Sequence, residues 1–113
     1  MIAQIWRGRT RADDLTEFTR LLEERVQTQM AAAICLGAYV LQRPLESSQA
    51  ESLVLTLYDR PSPSAPPISD KEARFLLSCD PAPAGYEVVI DPRRARLYAD
   101  LRRRFPLRIA ALR

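Results

Sequence analysis

Apolar and polar residues alternate weakly from Ile2 to Arg7. This predicts a strand with Ile2, Gln4 and Trp6 on one face and Ala3, Ile5 and Arg7 on the other. The period then changes. Leu15, Phe18, Leu21, Leu22 and Val26 recur at helical spacing, with Glu17, Glu23, Glu24 and Arg25 off that stripe. The spacing predicts a helix over about residues 11–30 with a solvated acidic side. Thr10-Arg-Ala-Asp13 has the capping-box form, a hydroxyl followed three residues later by a carboxylate, and marks the helix start.

Two nearly continuous apolar runs follow, at residues 33–42 and 51–58. The segment between them, Arg43-Pro-Leu-Glu-Ser-Ser-Gln-Ala50, has turn chemistry, so the pair reads as a β-hairpin with a medium loop. Leu53, Leu55 and Leu57 face one way in the second run; Val54, Thr56 and Tyr58 face the other. With both sets largely apolar, both faces are expected to be covered.

Residues 60–68 contain four prolines and predict a loop, because proline cannot donate to a ladder. Ser69-Asp-Lys-Glu72 is a second capping-box form and predicts a short helix over about 70–78. Arg74-Phe-Leu-Leu77 reads equally well as a strand. Pro81 and Pro83 interrupt the chain, and Tyr86–Ile90 predicts a further strand. Asp91-Pro92 suits a helix start, Leu97, Tyr98, Leu101 and Phe105 mark one helix face, and Pro106 ends it.

The order is strand, long helix, two strands, a proline-rich region, a strand and a terminal helix. It predicts an α+β, ferredoxin-like split β-α-β protomer. The second helix is shortened or replaced by the proline-rich loop, and a basic C-terminal helix is appended. Residues 1–90 form the domain and residues 91–113 the added helix and tail. One sheet face packs on the helices; the other is left bare and apolar and calls for a partner.

Composition narrows the chemistry. A chain of 113 residues suits one core. No apolar run approaches the roughly 18 residues of a membrane span. The N-terminus has no secretory pattern, so a cytoplasmic protein is expected. There is no histidine, which rules out histidine-ligated zinc, non-haem iron or haem supplied from within this chain. Cys35 and Cys79 have no histidine to activate them, and buried free thiols are expected. No carboxylate pair stands out as an acid–base couple, and Asp13 and Glu72 read as helix caps. Charge is uneven: residues 1–90 carry a net −3 and residues 91–113 a net +6. The tail, with Arg93, Arg94, Arg96 and Arg102–Arg104, suits docking on its own acidic body or a dimer mate. An acidic partner or nucleic acid is the minor alternative, since no nucleic-acid motif appears.

Several segments together resemble a known family. These are Ile2-Ala-Gln-Ile-Trp-Arg-Gly-Arg-Thr10, Gly37-Ala-Tyr-Val-Leu41, Leu53-Val-Leu-Thr-Leu-Tyr-Asp59, Arg74-Phe-Leu-Leu77 and Gly85-Tyr-Glu-Val-Val89. Over roughly residues 1–90 they look like the small antibiotic-biosynthesis-monooxygenase-type proteins of the dimeric α+β barrel superfamily. The resemblance implies a homodimer with sheets packed face to face, and a small hydrophobic pocket between each sheet and its helices. It also implies activity on an aromatic or polyketide-like molecule, as a monooxygenase or isomerase without metal, flavin or other cofactor. The chain departs from the pattern in its missing second long helix, its lack of histidine and its basic extension.

Such chemistry needs a dry pocket and hydrogen bonds to a developing oxyanion. Trp6, Tyr39, Tyr58 and Tyr86 are candidate pocket walls, Gln4 a candidate donor, and Arg7 or Arg74 a candidate holder of an anionic oxygen. The plainer reading makes the aromatics core or interface residues and the arginines surface ion-pair partners. A competing expectation is therefore a non-catalytic ligand-binding or assembly module, favoured if side chains fill the pocket.

Overall fold

The computed structural model describes residues 1–61 and 68–89. The expected terminal helix and tail, and most of the proline-rich segment, lie outside them. Strand β1 (Ile2–Arg11) leads through a 3-10 turn at Ala12–Asp14 into helix α1 (Leu15–Met30). Strands β2 (Cys35–Leu45) and β3 (Gln49–Tyr58) form the hairpin. The one-turn helix α2 (Asp70–Ala73) and two short strands, β4 (Leu76–Cys79) and β5 (Ala84–Glu87), complete the described elements.

All pairings are antiparallel, in the order β2-β3-β1-β4, with β5 also on β1. The described residues form a small α+β unit with a five-stranded sheet and one long helix, compatible with a ferredoxin-like fold. Among the described residues no helix is long and apolar enough to cross a membrane.

The fourth sheet position is split. β4 pairs with Gly8–Thr10 and β5 with Ile2–Ile5, so the two occupy successive stretches of the same β1 margin. Asp80 fixes the gap between them. Its carbonyl accepts the Trp6 indole N–H at 3.0 Å, and its carboxylate accepts the Arg7 backbone N–H at 2.9 Å. Pro81 and Pro83 then keep the ladder from continuing.

The core lies between α1 and one face of the sheet. Even-numbered residues of β3, from Ala50 to Tyr58, are all buried there. Trp6, Val54 and Val40 form one row across three strands. Phe18 and Leu22 of α1 press on it at 0% exposure, with Val26, Ile68, Phe75 and Leu76 around them. A polar seam runs beside this cluster. Gln42 donates to Thr19 Oγ1 at 2.8 Å and to Ser52 Oγ at 3.1 Å, while Thr56 Oγ1 donates to Gln29 Oε1 at 3.3 Å.

Gly8 is required by packing and not by its backbone angles. A Cβ there would lie 2.6 Å from Trp6 Cη2 and 2.8 Å from Leu76 Cδ2. The indole cannot swing away without losing its bond to Asp80. Gly8→Ala is expected to cost about 1–3 kcal/mol, as overpacking does, read as a lowered urea midpoint.

Several expectations are corrected. The first capping box does not form. Thr10 stays in β1, its buried Oγ1 lacks a partner among the described residues, and the α1 N-cap, Asp14, makes no side-chain cap bond. Strand pairing outcompeted the local turn. The hairpin is longer than expected, its turn reduced to Glu46–Ser48 with Ser47 and Ser48 at φ 61° and 56°. The Arg43–Glu51 pair, Nε to Oε1 at 2.9 Å, extends the ladder into polar sequence. The second capping box is present, but its helix stops at Ala73 and Leu76–Cys79 is strand. The last described strand begins at Ala84, two residues early. Both cysteines are free thiols, yet Cys35 is half-buried and Cys79 exposed, not buried as expected.

Candidate functional site

The side of the sheet away from α1 has no cover among the described residues. Odd-numbered residues of β1 and β3 point there. Antiparallel register assembles them into rows: Gly37–Leu57–Ala3–Tyr86, Tyr39–Leu55–Ile5–Ala84 and Leu41–Leu53–Arg7. Tyr39 and Leu41 are each 51% exposed and Tyr86 54%. Among the described residues only the α1 side of the hairpin is covered.

The next row toward the hairpin turn is Arg43–Glu51–Arg9, followed by Leu45–Gln49–Arg11. The face therefore grades from aliphatic to basic along the strands. Glu51 is the only carboxylate in the three long strands, and Arg43 already holds it. Arg7, Arg9 and Arg11 are exposed, and their guanidinium groups have no ion-pair partner among the described residues.

The six candidate site residues do not converge on one cavity. Gln4, Trp6 and Tyr58 lie on the α1 side of the sheet, with Trp6 6% and Tyr58 4% exposed. Tyr39 and Tyr86 lie on the open side, as does Arg7. Arg74 is the exposed C-cap of α2. Where the resemblance implies a pocket beneath α1, the side chains of Trp6, Phe18, Leu22 and Val54 pack together.

One ion pair was not foreseen. Glu72 of α2 accepts from Arg25 of α1, Nε to Oε2 at 2.7 Å and a second guanidinium nitrogen to Oε1 at 2.5 Å. The same carboxylate takes the Ser69 backbone N–H at 3.1 Å and hydroxyl at 2.9 Å. Burial pushes the Glu72 carboxyl upward. The hydrogen bonds from Arg25 and Ser69, with the Arg25 charge, outweigh it and hold the group below the usual range. The Arg25 pKa is raised, first by its hydrogen bond to Glu72 and against the effect of burial. The pair borders a shallow cleft of about 290 Å³ that also touches Leu21, Thr28 and Lys71. Both Glu72 carboxylate oxygens are engaged, so the pair is a clasp between helices. The 47-residue separation gave no local signal for it.

Among the described residues no group of three Cys, Asp or Glu side chains is placed to hold a metal ion. Comparison with protein-family models, curated proteins and solved structures gave no match.

Proposed function

We propose that this chain works as a homodimeric ligand-binding or assembly module in which two copies pack their open sheet faces together, helices outward. The open apolar face carries this reading. Ten-residue strands at ordinary spacing give the three long strands a flat footprint on the order of 500 Å². Side-chain relief brings that close to the roughly 800 Å² per partner of a standard interface. The leucine-rich centre and basic margin match the apolar core and polar rim of homodimer interfaces. A two-fold contact needs only one self-complementary patch, which a single chain already supplies. The filled space beneath α1 favours this module over an enzyme with an active site there.

Sedimentation tests it. The wild-type chain is expected to run at twice its 12.8 kDa mass. Leu55 points to the open side, so Leu55→Lys should keep the fold. Each dimer would then bury two further cations beside Arg7, and association should weaken at least ~100-fold. A monomeric wild type, or a Leu55→Lys chain that dimerises normally, overturns the reading.

A second reading is cofactor-independent oxygenation or isomerisation of an aromatic or polyketide-like molecule. Tyr39 and Tyr86, standing on the open face, favour it only if such a molecule sits between the paired sheets. Oxygen uptake with a panel of phenolic substrates tests that directly. A basic adaptor acting through residues 91–113 would lie outside the described residues.

A further inference from the structure

Pairing the open faces creates a charge problem. Arg7 stands in the same row as Leu41 and Leu53, one step from Tyr39, Leu55 and Ile5. A second sheet laid over these residues removes water from its guanidinium. A desolvated cation without a counter-ion costs free energy and weakens that packing. The face cannot supply that counter-ion from its long strands. Their single carboxylate, Glu51, is held by Arg43 on the same copy, while Arg7, Arg9 and Arg11 add three positive charges. The partner presents the same arrangement, so dimerisation doubles the excess.

Next to this cation runs a straight aliphatic track. Leu53, Leu55 and Leu57 project from one strand at two-residue intervals, spanning about 13 Å. Ile5 flanks them on β1, with Ala3 beside Leu57 already buried, and Leu41 and Tyr39 flank them on β2. The track begins in the Arg7 row and leads away from the basic end. A linear apolar chain ending in one anionic group matches both features.

We propose that the sheet-to-sheet dimer binds a medium-chain acyl carboxylate, its headgroup on Arg7 and its chain along Leu53, Leu55 and Leu57. This rests on the dimer reading above. The guanidinium fork receives the carboxylate in a bidentate pair, and the ligand supplies the negative charge that the long strands lack, the Asp80 carboxylate being taken up by the Arg7 backbone N–H at 2.9 Å. Arg9, nearer the rim, draws the anion in without needing to be buried.

Calorimetry on the full chain, with decanoate below its micelle-forming concentration and decan-1-ol below its solubility limit, tests the proposal. Wild-type dimer is expected to bind decanoate at least tenfold more tightly than decan-1-ol. Arg7→Gln should abolish that preference, and Arg7→Lys should restore part of it. Arg7 is exposed in the single chain, so both variants should fold, which circular dichroism checks. Decanoate should also tighten the dimer in sedimentation. A dimer that binds acid and alcohol equally, or an Arg7→Gln variant that keeps the preference, overturns the acyl site and leaves the dimer standing. A monomeric wild type overturns both.

Discussion

Trp6→Ala is expected to lower the stability of the fold by about 3–5 kcal/mol, the range for removing a buried indole or phenyl ring. That is a large share of the roughly 5–15 kcal/mol that holds a typical domain together. The loss has two sources. The indole fills the space among Phe18, Leu22 and Val54, where the neighbours are already fully enclosed and cannot collapse far. It also carries the N–H that ties β1 to the Asp80 carbonyl in the break between β4 and β5. Trp6→Phe separates the two. It keeps most of the ring contact and should cost chiefly the hydrogen bond, about 1 kcal/mol, plus a smaller packing loss. Urea unfolding followed by circular dichroism gives both values. An unchanged midpoint for Trp6→Ala would contradict its place in the core. Trp6 is the only tryptophan, so native wild-type fluorescence should resist quenching by iodide and become sensitive on unfolding.

Glu72→Ala is expected to cost about 3 kcal/mol, because it leaves the Arg25 guanidinium beneath α2 without its carboxylate. The side chains are only 14% and 6% exposed, which separates this pair from the exposed Arg20–Glu17 pair. Arg25→Met with Glu72→Leu removes both charges and should recover much of the loss at neutral pH. The pH dependence has a definite sign. The Glu72 carboxyl is held below its ordinary value in the folded state, so its contribution is full above the ordinary carboxylate range. It is lost as pH falls through the folded value. Arg25 stays charged throughout. Wild-type stability should therefore drop between about pH 5 and about pH 2 more steeply than that of the double variant. Parallel curves would show that the clasp contributes nothing.

The strand–helix–hairpin order was legible because period-2 and period-3.6 patterns are well separated between Ile2 and Tyr58. The placement of Ile2, Gln4 and Trp6 on one face also followed from alternation alone, and the register bears it out. Errors arose where local chemistry and tertiary pairing compete. Thr10 and Asp13 look like a cap, yet Thr10 pairs with Ala50 and stays in the sheet. Arg43 looks like a loop residue, yet its charge facing Glu51 across the ladder extends the hairpin. Two contacts had no local signal. Arg25 with Glu72, and Trp6 with Asp80, join residues 47 and 74 positions apart. The apolar sheet face that is uncovered among the described residues was legible as an apolar face. Which aromatics shared that face was not, because the strand carrying Tyr86 takes its register from β1 alone.

The broken fourth strand also limits how sheets can join end on. On the β1 side, Asp80 and the prolines divide the outer margin into two four-residue pieces, too short to template a neighbour. The opposite margin, along β2, runs for eleven residues and includes Pro44, which has no amide hydrogen to offer. Fibre growth by strand addition needs a usable margin on each side of the unit. With one such margin, single chains joined edge to edge through β2 close at two copies.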